Sequence, residues 1–138
     1  MELKKVLSGL EGLKAKGNLD LDIKSLESDS RKVKKNGMFV AIKGFDVDGH
    51  KYINEAVENG AKAVMVEEGT DLKKLNLPED VTLIVAPNTR YSLAIAASNF
   101  YKNPSKKFKI VGVTGTKGKT TTTFMIKSIL EKQGKKVG

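Results

Sequence analysis

The sequence predicts an α/β protein with one α/β domain over residues 1–106. From residue 107 it predicts the first strand, phosphate-binding loop and helix of a second, truncated domain of the ATPase kind. Three observations carry this. Short apolar runs at 38–42, 63–66 and 81–86 lack polar alternation, as strands buried on both faces do. Helically spaced apolar residues follow them, at Tyr52, Ile53, Ala56 and Val57 and again at Leu93, Ala96, Ala97, Phe100 and Tyr101. Residues 108–123 read strand, Gly-rich turn, helix, in that order.

In chain order, residues 2–8 suggest a short helix with Leu3, Val6 and Leu7 on one face. Leu19, Leu21 and Ile23 alternate with Asp20 and Asp22, the period of a half-exposed strand, and a second strand is expected over 24–28. Asn36-Gly37 is a turn into the strand at 38–42, and 44–49 is a loop. A helix is expected over 50–59, with Asp48 near its N-cap and Gly60 as its stop. The strands at 63–66 and 81–86 flank a polar, Pro-containing stretch, and a helix follows over 89–101. The polar connector Lys102-Asn-Pro-Ser-Lys-Lys107 marks the domain boundary. In the last segment Ile110, Val111 and Val113 suggest a buried strand, and Met125, Ile126, Ile129 and Leu130 suggest the inward side of a helix that Gly134 ends.

The chain of 138 residues has no cysteine, which excludes disulfides and thiolate metal sites. No apolar run approaches the roughly 20 residues that span a bilayer, and the N-terminus has no signal-peptide pattern, so a cytoplasmic protein without a membrane partner is expected. The net charge of +9 is confined to one place: residues 102–138 hold ten lysines and one acid, while the first 101 residues balance at fifteen of each sign. That excess sits on the phosphate-loop segment, and with 6% aromatics and no tryptophan the pattern is not that of a nucleic-acid groove.

The loop is Gly115-Thr116-Lys117-Gly118-Lys119-Thr120-Thr121. Backbone N–H groups of such a turn have no partners within the helix and favour an anion. Lys119 would reach the outer phosphates of a nucleotide, and the Thr120 hydroxyl would give an oxygen to a magnesium ion. These two are the candidate catalytic residues, with Thr120 also the candidate metal ligand. The strict spacing fails, because Val113 stands where the first glycine is usual.

Two stretches resemble the Mur ligases of peptidoglycan synthesis. One is Asp29-Ser30-Arg31 running through Met38 to Gly44 and on to Asp48-Gly49-His50. The other is Ala97-Ser-Asn-Phe-Tyr-Lys-Asn-Pro-Ser105 running into Val113-Thr-Gly-Thr-Lys-Gly-Lys-Thr-Thr-Thr-Thr123. The second is similar to the branch that adds the third peptide residue, and the family's loop likewise lacks a glycine at Val113. Lys117 departs from the family's usual Asn, and Asn88 stands where an acid is common. The resemblance implies a Mur-ligase-type N-terminal domain that holds the UDP end of UDP-N-acetylmuramoyl-L-alanyl-D-glutamate. It implies ATP and Mg2+ as cofactors, and amide formation with meso-diaminopimelate or L-lysine through an acyl phosphate.

Carried onto this sequence, the resemblance assigns Ser30, Ser28 and the loop Phe45, Asp46 and Val47 to the UDP-substrate and Gly115 to Thr121 to ATP. It leaves the oligomeric state open and expects the fragment alone to be inactive. Two other readings stay in view: the ligase that adds D-alanyl-D-alanine, and a nucleotide-sugar-binding module without catalysis. Asp29 and Ser30 also suit a local turn, Phe45 suits a core position, and His50 suits a structural hydrogen-bonding role.

Overall fold

A computed structural model describes residues 1–45 and 47–138. Asp46, one of the expected substrate contacts, lies outside the described residues. The chain divides into two compact units, Met1–Pro104 and Ser105–Gly138.

The first unit is built on five strands: β1 (Lys14–Lys16), β2 (Ser25–Glu27), β3 (Gly37–Val40), β4 (Ala61–Glu67) and β5 (Thr82–Ala86). Their order in the sheet is β1-β5-β4-β3-β2, parallel from β2 to β5, with β1 antiparallel on the edge beside β5. Helices α1 (Leu3–Val6), α2 (Ile53–Glu58) and α3 (Thr89–Phe100) complete the unit.

Alternation along the strands splits the core into two layers. Met38, Val40, Ala63, Met65, Ile84 and Ala86 face one side with Leu3 and Val6 of α1 and Ala96 of α3. Phe39, Val64 and Val66 face the other with Ile53 and Ala56 of α2. Strand β4 is central and covered on both faces, with Ala63 to Val66 fully buried, which is why its sequence shows no polar alternation. Each such valine or methionine contributes about 1.5–3 kcal/mol of burial. Helix α2 stops at Gly60, whose φ of +107° and approach to the Lys35 backbone leave no room for a side chain.

Several expectations need correction. The stretch 19–23 keeps its alternation only from Leu21 to Ile23, with Leu19 exposed like Asp20 and Asp22, and it is not a sheet strand. It pairs instead with the N-terminus: Leu3 N–H donates to Leu21 O at 2.8 Å, and Ile23 N–H to Met1 O at 2.8 Å. Strand β1 carries no apolar signal, and all three of its residues are exposed. The helix expected over 50–59 begins as a 3-10 turn, Gly49–Tyr52, before α2 proper.

The second unit holds α4 (Lys119–Lys132). No strand forms over 110–113, and Ile110 and Val111 are exposed. A strand needs a neighbouring ladder for its backbone groups, and the segment has none here. Met125 and Ile129 of α4 are likewise exposed rather than inward, because nothing within the unit covers that side of the helix.

Candidate functional site

Because β2 to β5 run parallel, their carboxyl ends lie along one edge of the sheet, the edge where open α/β sheets bind ligands. Most of the expected substrate residues follow these ends. Ser28 and Ser30 come after β2, and Phe45 and Val47 after β3; Arg90, which the sequence did not single out, comes after β5.

After β2 the chain enters a 3-10 turn, Ser30–Lys32, capped by Asp29, whose carboxylate accepts from Arg31 N–H at 3.2 Å. The same carboxylate holds the Arg31 guanidinium in a two-pronged pair, Nε and Nη2 each at 2.9 Å. That pair keeps the Asp29 carboxyl below the usual carboxylate range and settles Arg31 as the local partner of an acid. Ser30 is buried, donates its hydroxyl proton to Glu55 Oε2 of α2 at 2.9 Å, and accepts Asn59 Nδ2 on its carbonyl at 3.1 Å. With its one proton committed, the Ser30 hydroxyl offers a ligand only lone pairs. Ser28 is exposed.

After β3 the loop is tied off at its base. Gly44 N–H donates to Val47 O at 2.8 Å, Lys43 bridges to Asp48, and Gly49 N–H donates to Ile42 O at 2.9 Å. Gly49 lies so close to the Ile42 backbone that a Cβ would meet its carbonyl oxygen at 2.8 Å. The tip is open: Phe45 is 101% exposed and Val47 54%. Phe45 is therefore not a core residue.

Behind the loop lies a polar network that sequence reasoning found only in part. Asp48 Oδ1 accepts both the backbone N–H of His50 at 3.0 Å and its ring Nδ1–H at 2.6 Å. The other ring nitrogen, Nε2, accepts from Glu67 N–H at 3.2 Å, which fixes the tautomer and gives His50 a structural role. Glu67, at the end of β4, accepts from Thr89 N–H at 3.1 Å and Thr89 Oγ1 at 2.9 Å, anchoring the start of α3. These bonds hold the Glu67 carboxyl below its ordinary value, and the two His50 bonds do the same for Asp48. Lys43, Asp48, His50 and Glu67 line an open depression of about 340 Å³ with the turn Glu68–Asp71. Glu67 and Thr89 were missed as a site element because a single glutamate after an apolar run carries no pattern.

In the second unit the loop has the backbone of an anion cradle. Gly115 takes a φ of +150°, and Gly118, the residue that caps α4, lies in the left-handed region at +77°. The first bond within the helix runs from Thr122 N–H to Gly118 O at 2.9 Å, so the N–H groups of Lys119, Thr120 and Thr121 have no partner inside the helix. Lys119 Nζ bends back onto Gly115 O at 2.7 Å. Thr116, Lys117, Thr120 and Thr121 are exposed. Among the described residues no group of three or more His, Cys, Asp or Glu could hold a metal ion, and none of the described helices is long and apolar enough to cross a membrane.

The sequence profile described as "Mur ligase family, catalytic domain" matches residues 22–111, well over half of the chain. The chain belongs to the Mur ligase family. Relatives in this family include the UDP-N-acetylmuramoyl-L-alanyl-D-glutamate--2,6-diaminopimelate ligases of Clostridium tetani, 51% identical, and Clostridium botulinum, 50% identical. Both matches cover 100% of this chain and 28% of the relative, so the chain spans little more than a quarter of their length. Among solved structures, the D-alanyl-D-alanyl-adding ligase of Acinetobacter baumannii is similar with a TM-score of 0.62 and 26% identity, over 94% of this chain and 27% of that one. MurF of Thermotoga maritima, in complex with ADP, is similar with a TM-score of 0.55 and 36% identity, over 75% of this chain and 22% of that one.

Proposed function

We propose that this Mur ligase chain is the UDP- and ATP-binding portion of an ATP-dependent ligase that joins 2,6-diaminopimelate to UDP-N-acetylmuramoyl-L-alanyl-D-glutamate in the cytoplasm. The observation that carries the reading is the 51% identity, over the whole chain, to a relative of that name. In this reading residues 1–106 form the substrate domain and residues 107–138 open the ATP-binding domain.

The chain's own residues have separable tasks. Ser28, Ser30 and the 45–47 loop hold the uridine diphosphate end, far from the bond being made, and that remote binding energy positions the reacting carboxylate. Ser30 serves there as an acceptor, for an imide N–H or a sugar hydroxyl. The unpartnered N–H groups at the start of α4 receive nucleotide phosphate oxygens, and Lys119 swings from the Gly115 carbonyl onto them. The loop residues present fit a nucleotide. For magnesium, the Thr120 hydroxyl would give one protein oxygen; among the described residues no group of three or more His, Cys, Asp or Glu could hold the ion. When bound, ATP supplies the phosphoryl group that activates the carboxylate for amide formation.

Isothermal titration of this chain tests the reading. UDP should bind measurably, and Ser30→Ala should weaken that binding. Magnesium-dependent ATP turnover should be near background, because the unit that carries the loop contains no strand, and among the described residues no group of three or more acids or histidines could hold a metal ion. A folded chain that ignores UDP would remove the substrate-domain assignment.

A further inference from the structure

The carboxyl edge of the sheet holds one residue that the proposed function leaves unused. Arg90 stands in the first turn of α3, after β5. Its Nη2 donates to Lys43 O at 3.0 Å, and its guanidinium carbon lies 5.8 Å from the centre of the Phe45 ring. Lys43 and Phe45 belong to the loop after β3. Strand β4 lies between β3 and β5, so the arginine reaches across an intervening strand end to hold a loop two strands away.

The loop needs such a hold. Its base is closed by the Gly44–Val47 and Ile42–Gly49 bonds and by the Asp48–His50–Glu67 chain, but these secure its backbone below the tip. The phenyl ring packs into no core and is 101% exposed. Arginine suits the task where lysine would not, because a planar fork can donate to a carbonyl and stack on a ring together. The guanidinium stands over the ring at the long end of cation–π range and leaves it exposed, so a planar group can still stack on it.

We propose that Arg90 is a positioning residue of the nucleoside-diphosphate site: it pins the Lys43 carbonyl and stands over the Phe45 ring, which holds the loop tip where the exposed ring can receive the nucleobase. The inference rests on the reading that this edge binds UDP. The bare substitution Arg90→Ala removes both contacts, while Arg90→Lys keeps the charge and the stem but loses the planar fork.

The chain has no tryptophan, so Phe45→Trp creates a single emission probe at the site. In that background UDP should change the emission saturably, and Arg90→Ala should weaken UDP binding about tenfold. The ligand-free probe should also lose steady-state anisotropy, a change that a role confined to global stability would not produce. Arg90→Lys should fall between the two, and it replaces the alanine variant should that one fail to fold. Calorimetry on the tryptophan-free chain with and without Arg90→Lys gives an independent affinity. Wild-type binding of UDP with unchanged affinity and anisotropy in the folded Arg90 variants overturns the inference alone. No UDP binding by the wild-type chain overturns the functional reading and the inference with it.

Discussion

The Ser30 hydroxyl shows how one neighbour fixes the direction of a hydrogen bond. Glu55 takes its only proton, so the side chain cannot also donate to a phosphate oxygen. Glu55→Ala should free that proton and leave the buried hydroxyl without its partner, destabilising the unit by about 1 kcal/mol. Comparing UDP with uridine by calorimetry should show the diphosphate's share of affinity rising in the variant; an unchanged ratio would mean that Glu55 does not set the polarity of Ser30. Gly118 is a second single-residue case. A Cβ there meets nothing within 4 Å, so the cost of Gly118→Ala is purely that of its φ of +77°. It should cost the loop about 1–2 kcal/mol and lower ATP affinity in a filter or calorimetric assay, without disturbing the first unit.

At the scale of elements, the start of α3 depends on a carboxylate from another strand. Glu67 accepts two bonds from Thr89, and Asn88 accepts Tyr91 N–H at 2.9 Å, so two side chains cap one helix. Glu67→Gln should cost about 0.5–1 kcal/mol, read as a lower thermal midpoint, because the charge facing the helix N-terminus is lost. The pH dependence has a definite sign. The Glu67, Asp48 and Asp29 carboxyls all lie below their ordinary values in the fold. Their contribution is therefore complete above about pH 5 and is lost as pH falls through roughly 4 and below. Stability of Glu67→Gln should fall less steeply over that window than stability of the parent chain.

The same scale shows what the sequence could convey. Strands β3, β4 and β5 were legible because burial on both faces leaves a continuous apolar run. Ser30, Phe45 and Gly118 became candidates through resemblance and through glycine spacing, and their binding roles stand as proposals. Strand β1 was not, since Lys-Ala-Lys on an exposed edge has no apolar signature. The run at 110–113 misled for the opposite reason: its composition suits a strand, but pairing requires a partner that composition cannot supply. Arg90 was silent because its contacts join segments more than forty residues apart.

For the whole molecule, the two units differ in how they are held. The first has a two-sided core, while Phe108, Ile110, Val111, Phe124, Met125 and Ile129 of the second are each more than half exposed. Hydrogen exchange should find amides of β4 protected to the level of global unfolding and those of 108–118 exchanging near the free rate. Slow exchange across 108–118 would show that this segment acquires a ladder in solution.

The lysine-bearing edge has a consequence for behaviour at high concentration. A sheet edge is a template on which another chain can add a strand, yet β1 is three residues long, antiparallel, and places Lys14 and Lys16 at its ends. An incoming copy would set its own lysines against these, so the folded unit resists growing into fibrils from that side. The apolar run at 110–113 has lysines before it, at Lys107 and Lys109, but none within it, and aggregation, where it occurs, should start there.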